Sequence, residues 1–286
     1  MSVFKAEGLT GVLSAIGRRI RTPRARCYPV CREIVSGASG LEIGGPSPIF
    51  ARAGLLPLYR RASRIDNCNF AQRTIWEGAI TEGDSFSFDS RKAAGRQFIA
   101  EGADLRMVPS GTYDFVLSSH MLEHTANPLR ALSEWGRVLK PGGGLVLVVP
   151  HRDGTFDHRR PITAMQHLIA DFERGTGEDD LTHLPEVLTL HDVSKDPGAR
   201  GINFQERAER NGELRTIHHH VFDTRLVVAA VTTTGLEVEA VELLRPYHVV
   251  VLARKARDGT GGGPLSEDAL RLVLRRSPFR TDREAS

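Results

Sequence analysis

Residues 40–48, Gly-Leu-Glu-Ile-Gly-Gly-Pro-Ser-Pro, constrain the fold more than any other stretch of the chain. Leu41 to Ile43 read as the end of a buried strand, strand one over residues 37–43. Gly44-Gly45 then turns the backbone, because glycine lacks the Cβ that blocks a positive φ or a close ligand approach. A carboxylate, Glu42, stands just before the turn. A strand running into a glycine turn at the carboxyl edge of an α/β sheet is where such folds gather nucleotide-like ligands. Pro46 and Pro48 break the regular Gly-x-Gly-x-x-Gly spacing, which argues against a dinucleotide.

Downstream, residues 113–150 read as strand, helix and strand. Tyr113-Asp114-Phe115-Val116 opens a strand over Asp114–Ser118, which exits at Ser119-His120. Leu129 to Leu139 reads as a helix, with Asn127-Pro128 as its start signal and Pro141-Gly142 as its stop. Leu145 to Val149 is a continuous apolar run suited to a buried parallel strand. Together with Glu42-Ile43-Gly44-Gly45, the stretches Leu122-Glu123-His124 and Arg137-Val138-Leu139-Lys140-Pro141-Gly142-Gly143 resemble the class I S-adenosylmethionine-dependent methyltransferases. The resemblance covers roughly residues 38–150, and residues 221–254 fit the closing elements. It implies a Rossmann-like α/β fold. The expected sheet has seven strands, mostly parallel with an antiparallel last strand, and helices on both faces.

The same resemblance implies where S-adenosylmethionine would lie. The turn Gly44, Gly45 and Pro46 would pack on its methionine part, with Glu42 near the amino end. Ser63 to Asn67 read as strand two, ending in an acid. A carboxylate offers two acceptor oxygens for the two ribose hydroxyls, so Asp66, with Asn67, is expected there. Gln97 to Ala100 is expected as strand three. Asp104 would then accept the adenine amino group and Leu105 donate its N–H, with Glu101 as the alternative acid. Ser119 and His120 would border the sulfonium.

Residues 151–220 break the alternation of strand and helix and hold eight of the chain's histidines, as expected of a substrate-recognition insertion after strand five. Asp157-His158-Arg159-Arg160-Pro161 and His218-His219-His220-Val221-Phe222 resemble parts of a bacterial methyltransferase subgroup. That subgroup is similar to enzymes found with glycan and surface-polysaccharide assembly. Methyl transfer needs a group that aligns the acceptor and takes its proton near neutral pH, which histidine can do. His120 is the first candidate, His151 at the strand-five exit the second, and His219 among His218 to His220 the third. His158, Arg160, His183, His191 and His220 are assigned to the acceptor, a small molecule or sugar. No His-x-x-x-His with Glu and no Asp ladder fixes a metal, so S-adenosylmethionine is the cofactor expected and a divalent cation is not favoured.

The ends add little. Phe4, Leu9, Val12, Leu13, Ile16 and Ile20 partly fit a helical face in an N-terminal lead, residues 1–36. Arg18, Arg19, Arg21, Arg24 and Arg26 read as a solvated helix end, and a net charge of +3 is too small to argue for nucleic acid. Cys27, Cys31 and Cys68 make no disulfide framework. No apolar run suits a bilayer, and the cytoplasm is the expected compartment. The methyltransferase domain is expected over residues 37–255, with Leu236–Leu243 and His248–Ala253 as its last strands. A polar tail follows over 256–286.

Overall fold

The computed structural model describes residues 24–199, 203–257 and 265–286. The apolar and arginine positions expected of an N-terminal helix before Arg24 lie outside the described residues. Eight strands form one sheet: β1 (Ser39–Ile43), β2 (Arg64–Asn69), β3 (Gly83–Phe86), β4 (Gly95–Ile99), β5 (Tyr113–Ser119), β6 (Leu139–Pro150), β7 (Leu236–Leu244) and β8 (His248–Lys255). Their spatial order is β3-β4-β2-β1-β5-β6-β8-β7. β4, β2, β1, β5 and β6 run parallel. β8 is antiparallel to both β6 and β7. The antiparallel last strand is as expected.

The count is eight rather than seven because β3 adds an antiparallel edge to β4. Of its four residues only Phe86 is buried. An edge strand needs only one buried anchor, so this one leaves no alternating pattern in the sequence.

Helices cover the two faces unequally. One face carries α2 (Pro128–Val138), α3 (Met165–Arg174), α7 (Thr224–Thr233) and α8 (Glu267–Arg275), and Trp135 is fully buried beneath them. The Asn127 side chain caps α2 by accepting from the Arg130 N–H, with proline following it, as the sequence indicates. The other face carries α1 (Tyr28–Val35) and an irregular stretch after β1, whose Phe50, Leu56, Leu58 and Tyr59 fill the core in place of a helix. Pro46 and Pro48 lack the N–H groups a helix would need there.

The segment between β6 and α7 holds three further short helices, α4 (Leu184–Leu190), α5 (Phe204–Glu209) and α6 (Asn211–Leu214). The chain end does not trail away as a polar tail. Leu270, Leu274 and Phe279 join the core, and α9 (Arg280–Glu284) buries Asp282. No described helix is long and apolar enough to cross a membrane.

Candidate active site

The carboxyl ends of the parallel strands open into a cavity of about 800 Å³, within the usual range for small-molecule sites. Its floor is the turn after β1. Gly44 leaves the strand at φ +75°, and Gly44, Pro46, Ser47 and Pro48 line the wall. The turn is pinned from behind. Gly45 donates its N–H to Asn67 Oδ1 at 3.0 Å, and Asn67 Nδ2 donates to the Gly45 carbonyl at 3.1 Å. Glu42 is fully buried beneath it and accepts from the Ser47 N–H at 3.0 Å and the Tyr59 hydroxyl at 2.8 Å. Burial pushes the Glu42 carboxyl up to about 8, against the pull of the Tyr59 and Ser47 hydrogen bonds. Glu42, Gly45 and Asn67 therefore shape the turn and do not face the cavity.

A Cβ on Gly45 would stand 2.3 Å from the Glu42 carboxyl carbon. Gly45→Ala is therefore expected to displace that carboxyl and cost about 1–3 kcal/mol, read as a lower urea midpoint. An unchanged midpoint would show that the turn yields without strain.

Two acids expected at the cofactor lie elsewhere. Asp66 pairs across from Leu41 in mid-sheet, because β2 runs on to Asn69 instead of ending at Asn67. Asp66 accepts from Arg64 Nε at 2.8 Å, the Arg96 N–H at 2.8 Å and the Tyr113 hydroxyl at 2.9 Å. The residue delivered to the edge is Asn69, whose Nδ2 donates to the Gly45 carbonyl at 3.1 Å. Asp104 pairs with Arg106 in a separate shallow pocket, and the Leu105 N–H is taken by Glu134 at 2.9 Å. Because β4 ends at Ile99, the alternative acid Glu101 lines the cavity, held by Arg215 at 2.7 Å.

On the opposite side, β5 exits into Ser119 and His120, as the sequence indicates, and both line the cavity. The Ser119 Oγ is buried without a partner. His120 takes φ +53° and sets its Nε2 2.9 Å from His248 Nδ1. Burial, then the neighbouring His120, pushes His248 down to about 4.

A short 3-10 helix, Leu122–His124, follows and places Glu123 at the centre of the histidines. The Glu123 Oε1 lies 3.6 Å from His120 Nδ1 and 3.9 Å from His218 Nε2, and its Oε2 is buried without a partner. Burial opposes its charge, but His120, His124 and His218 outweigh it and bring the carboxyl below its usual range.

The His218 ring faces this carboxylate with one edge and Asp157 with the other, its Nδ1 2.5 Å from Asp157 Oδ2. Burial favours the neutral ring, but Asp157 prevails and raises His218 above the ordinary histidine value. In turn, and against burial, His218 and then Arg160 hold the Asp157 carboxyl at about 2.

The other expected residues fall outside the cavity wall. His151 is fully buried, stacked on Phe279 and 3.2 Å from Asp282. His219 is buried against Asn211. His158 pairs with Asp192 at 2.9 Å, and His191 with Asp196 at 3.1 Å. Arg160 is buried behind Asp157 and His218, while His183 and His220 gather near His167. Long-range packing creates the Asp157–His218 pair across 61 residues, and no local spacing announces it.

Residues 81–147 match the model of a family described as a methyltransferase domain. No curated protein matches the chain. Among solved structures, a SAM-dependent methyltransferase from Methanosarcina mazei is 18% identical, covering 80% of this chain and 98% of that one with a TM-score of 0.47. An S-adenosylmethionine-dependent methyltransferase from Mesorhizobium loti is 15% identical, covering 80% and 98%, with a TM-score of 0.46. The family match supports a methyltransferase enzyme with S-adenosylmethionine as its cofactor.

Proposed function

We propose that this S-adenosylmethionine-dependent methyltransferase methylates an oxygen or nitrogen of a small, sugar-containing acceptor, with His218 as the base. The observation that carries the reading is one cavity with two unlike halves. Gly44, Asn69 and Glu101 stand at the strand ends, and the Asp157-backed His218 stands opposite. The residues present fit the cofactor. Gly44 leaves room at the turn, the Asn69 side-chain oxygen Oδ1 is an acceptor for ribose hydroxyls, and Glu101 is an acceptor for an adenine amino group. The unpartnered Ser119 Oγ marks polar demand near the reacting centre. Asn69 and Glu101 thus take the parts first expected of Asp66 and Asp104.

When bound, S-adenosylmethionine supplies a methyl group on a positive sulfonium, already a good leaving group. What remains for the chain is alignment and proton removal. His218 Nδ1 bonds to Asp157, which turns the Nε2 edge toward Glu123 and the cavity. The neutral ring accepts the acceptor's proton at Nε2, and Asp157 stabilises the resulting cation. His120 and His248 line the same cavity, with His120 on the same Glu123 oxygen.

Residues 151–220 act as the acceptor-recognition insertion in this reading. They bring Phe156, Asp196 and Arg207 to the wall, where an aromatic ring, a carboxylate and a guanidinium suit the apolar face and hydroxyls of a sugar. Phe156 is held from behind by stacking on His191 at 4.3 Å. His191 therefore supports the acceptor wall without touching it.

Calorimetric titration with S-adenosylmethionine and its demethylated product tests the cofactor half. Wild type is expected to saturate, Asn69→Ala to bind about tenfold more weakly through loss of one hydrogen bond, and Asp66→Ala to keep its ligand contacts. Absence of binding to wild type, or a larger loss in folded Asp66→Ala than in Asn69→Ala, would sink the assignment. A methyl-transfer screen over sugars and nucleotide sugars then tests the acceptor.

A further inference from the structure

Outside the cavity, three histidines from three separate segments converge. His167 lies on α3, His183 precedes α4, and His220 lies in the segment that enters α7. One ring nitrogen of each comes within 4.8 Å of the others. His167 Nε2 is 3.1 Å from His183 Nε2 and 3.2 Å from Asp171 Oδ2. Asp171 Oδ2 also lies 3.7 Å from His220 Nε2.

We propose that His167, His183 and His220, with the Asp171 carboxylate beside His167, form a zinc site, distinct from the methyl-transfer cavity, that ties α3 and the start of α4 to the segment bearing His218. Ligands about 2.0–2.1 Å from a tetrahedral zinc stand roughly 3.3 Å apart, close to the 3.1 and 3.2 Å separations here. The unpaired atoms are those a cation would use. Asp171 Oδ1 accepts from Arg174 at 2.7 Å and Thr176 at 3.1 Å, while its Oδ2 is buried with no hydrogen-bond partner. His220 Nε2 lies 3.1 Å from the Ala126 carbonyl, and its Nδ1 is buried with no partner. A zinc-bound imidazole commonly has its other nitrogen fixed by a carbonyl in this way, so Nδ1 is the ligand that His220 offers and its 3.7 Å approach to Asp171 through Nε2 is not a ligand separation.

The site lies outside the methyl-transfer cavity, so the metal would be structural rather than a Lewis acid for the reaction. The His167 side chain is 39% exposed, which gives an ion a route in. None of the four residues lines the methyl-transfer cavity. The rival arrangement is a plain hydrogen bond between the facing nitrogens of His167 and His183.

The test uses the untagged full chain, freed of metal by a chelator and titrated with zinc against a chromophoric competitor. One equivalent is expected to bind and raise the melting temperature, and cobalt in its place is expected to give the visible absorption of a tetrahedral ion. His167→Ala and Asp171→Asn are each expected to lose that equivalent and that absorption. Circular dichroism of the metal-free variants should match that of the metal-free wild type.

A second group, Glu123, His124 and His218, also converges, but inside the cavity. Zinc retained by both variants and lost by His124→Ala would move the metal there and overturn the proposal. Failure of wild type to bind zinc, or a cobalt spectrum without tetrahedral bands, would overturn it even if a variant failed to fold.

Discussion

His218→Ala is expected to lower kcat by about 10²–10⁴-fold, the usual worth of a positioned general base, and to leave S-adenosylmethionine affinity unchanged. His218 stands on the acceptor side with Asp157, whereas the cofactor turn is held by Glu42, Tyr59 and Asn67, none of which touches it. The pH profile carries the sharper signature. A base must be neutral, and Asp157 raises His218 above the ordinary histidine value, so activity should rise with pH through that raised value. In Asp157→Asn the larger of the two charges that raise it is gone and only Glu123 is left to oppose burial, so the rising limb should move to lower pH while its plateau falls. Stability runs the other way. The His218 contribution is fully present below the ordinary histidine value and is lost as pH climbs through the raised one. The Asp157 contribution is present above the ordinary carboxylate value and is lost as pH falls through about 2. A His218→Ala enzyme that keeps wild-type kcat, or an Asp157→Asn limb that stays in place, would remove His218 from the base role and return it to His120.

Periodicity and punctuation made the core legible. The strand and glycine turn at Leu41 to Gly45, the β5 exit at Ser119-His120 and the capped helix after Asn127 all follow from local rules that hold in the folded chain. The errors came where an edge had to be located to within two residues. Taking β2 to end at Asn67 put Asp66 at the rim, but two more residues of pairing move it into mid-sheet and bring Asn69 out. β4 stops at Ile99, one residue before the expected end, and Glu101 rather than Asp104 lines the cavity. The insertion resisted for a different one. Some of its histidines have partners 34, 58 or 61 residues away: Asp192 for His158, Arg160 for His218 and Asp157 for His218. A single sequence carries no period for such contacts. His-rich composition therefore marks the region but not which ring lines the cavity. His158, His183 and His220 face carboxylates or one another, and His218 alone of the insertion's histidines reaches the cavity wall.

Two adjacent arginines should behave in opposite ways. Arg160 is 1% exposed and spends its guanidinium on Asp157 at 2.9 Å, Glu186 at 2.7 Å and the carbonyls of His218 and His219 at 2.8 and 3.2 Å. Arg160→Met removes the partner of a buried carboxylate and leaves two carbonyls without their donor. Breaking such a pair costs about 3–5 kcal/mol. For a domain of this size that corresponds to a fall in Tm of roughly 6–20 °C. Arg160→Lys should recover little, because one ammonium on a flexible stem cannot span four acceptors set around a planar fork. Arg159, whose side chain is 55% exposed, meets Asp192 at 3.3 Å, and Asp192 keeps the His158 ring and the Ser194 hydroxyl without it, so the loss is at most about 1 kcal/mol. Arg159→Met should therefore melt within a few degrees of wild type. Equal melting of the two variants would mean that Arg160 is not the buried clamp on residues 218–219. Methyl transfer by a folded Arg160→Met protein at the wild-type rate would show further that the His218 ring is placed by Asp157 alone.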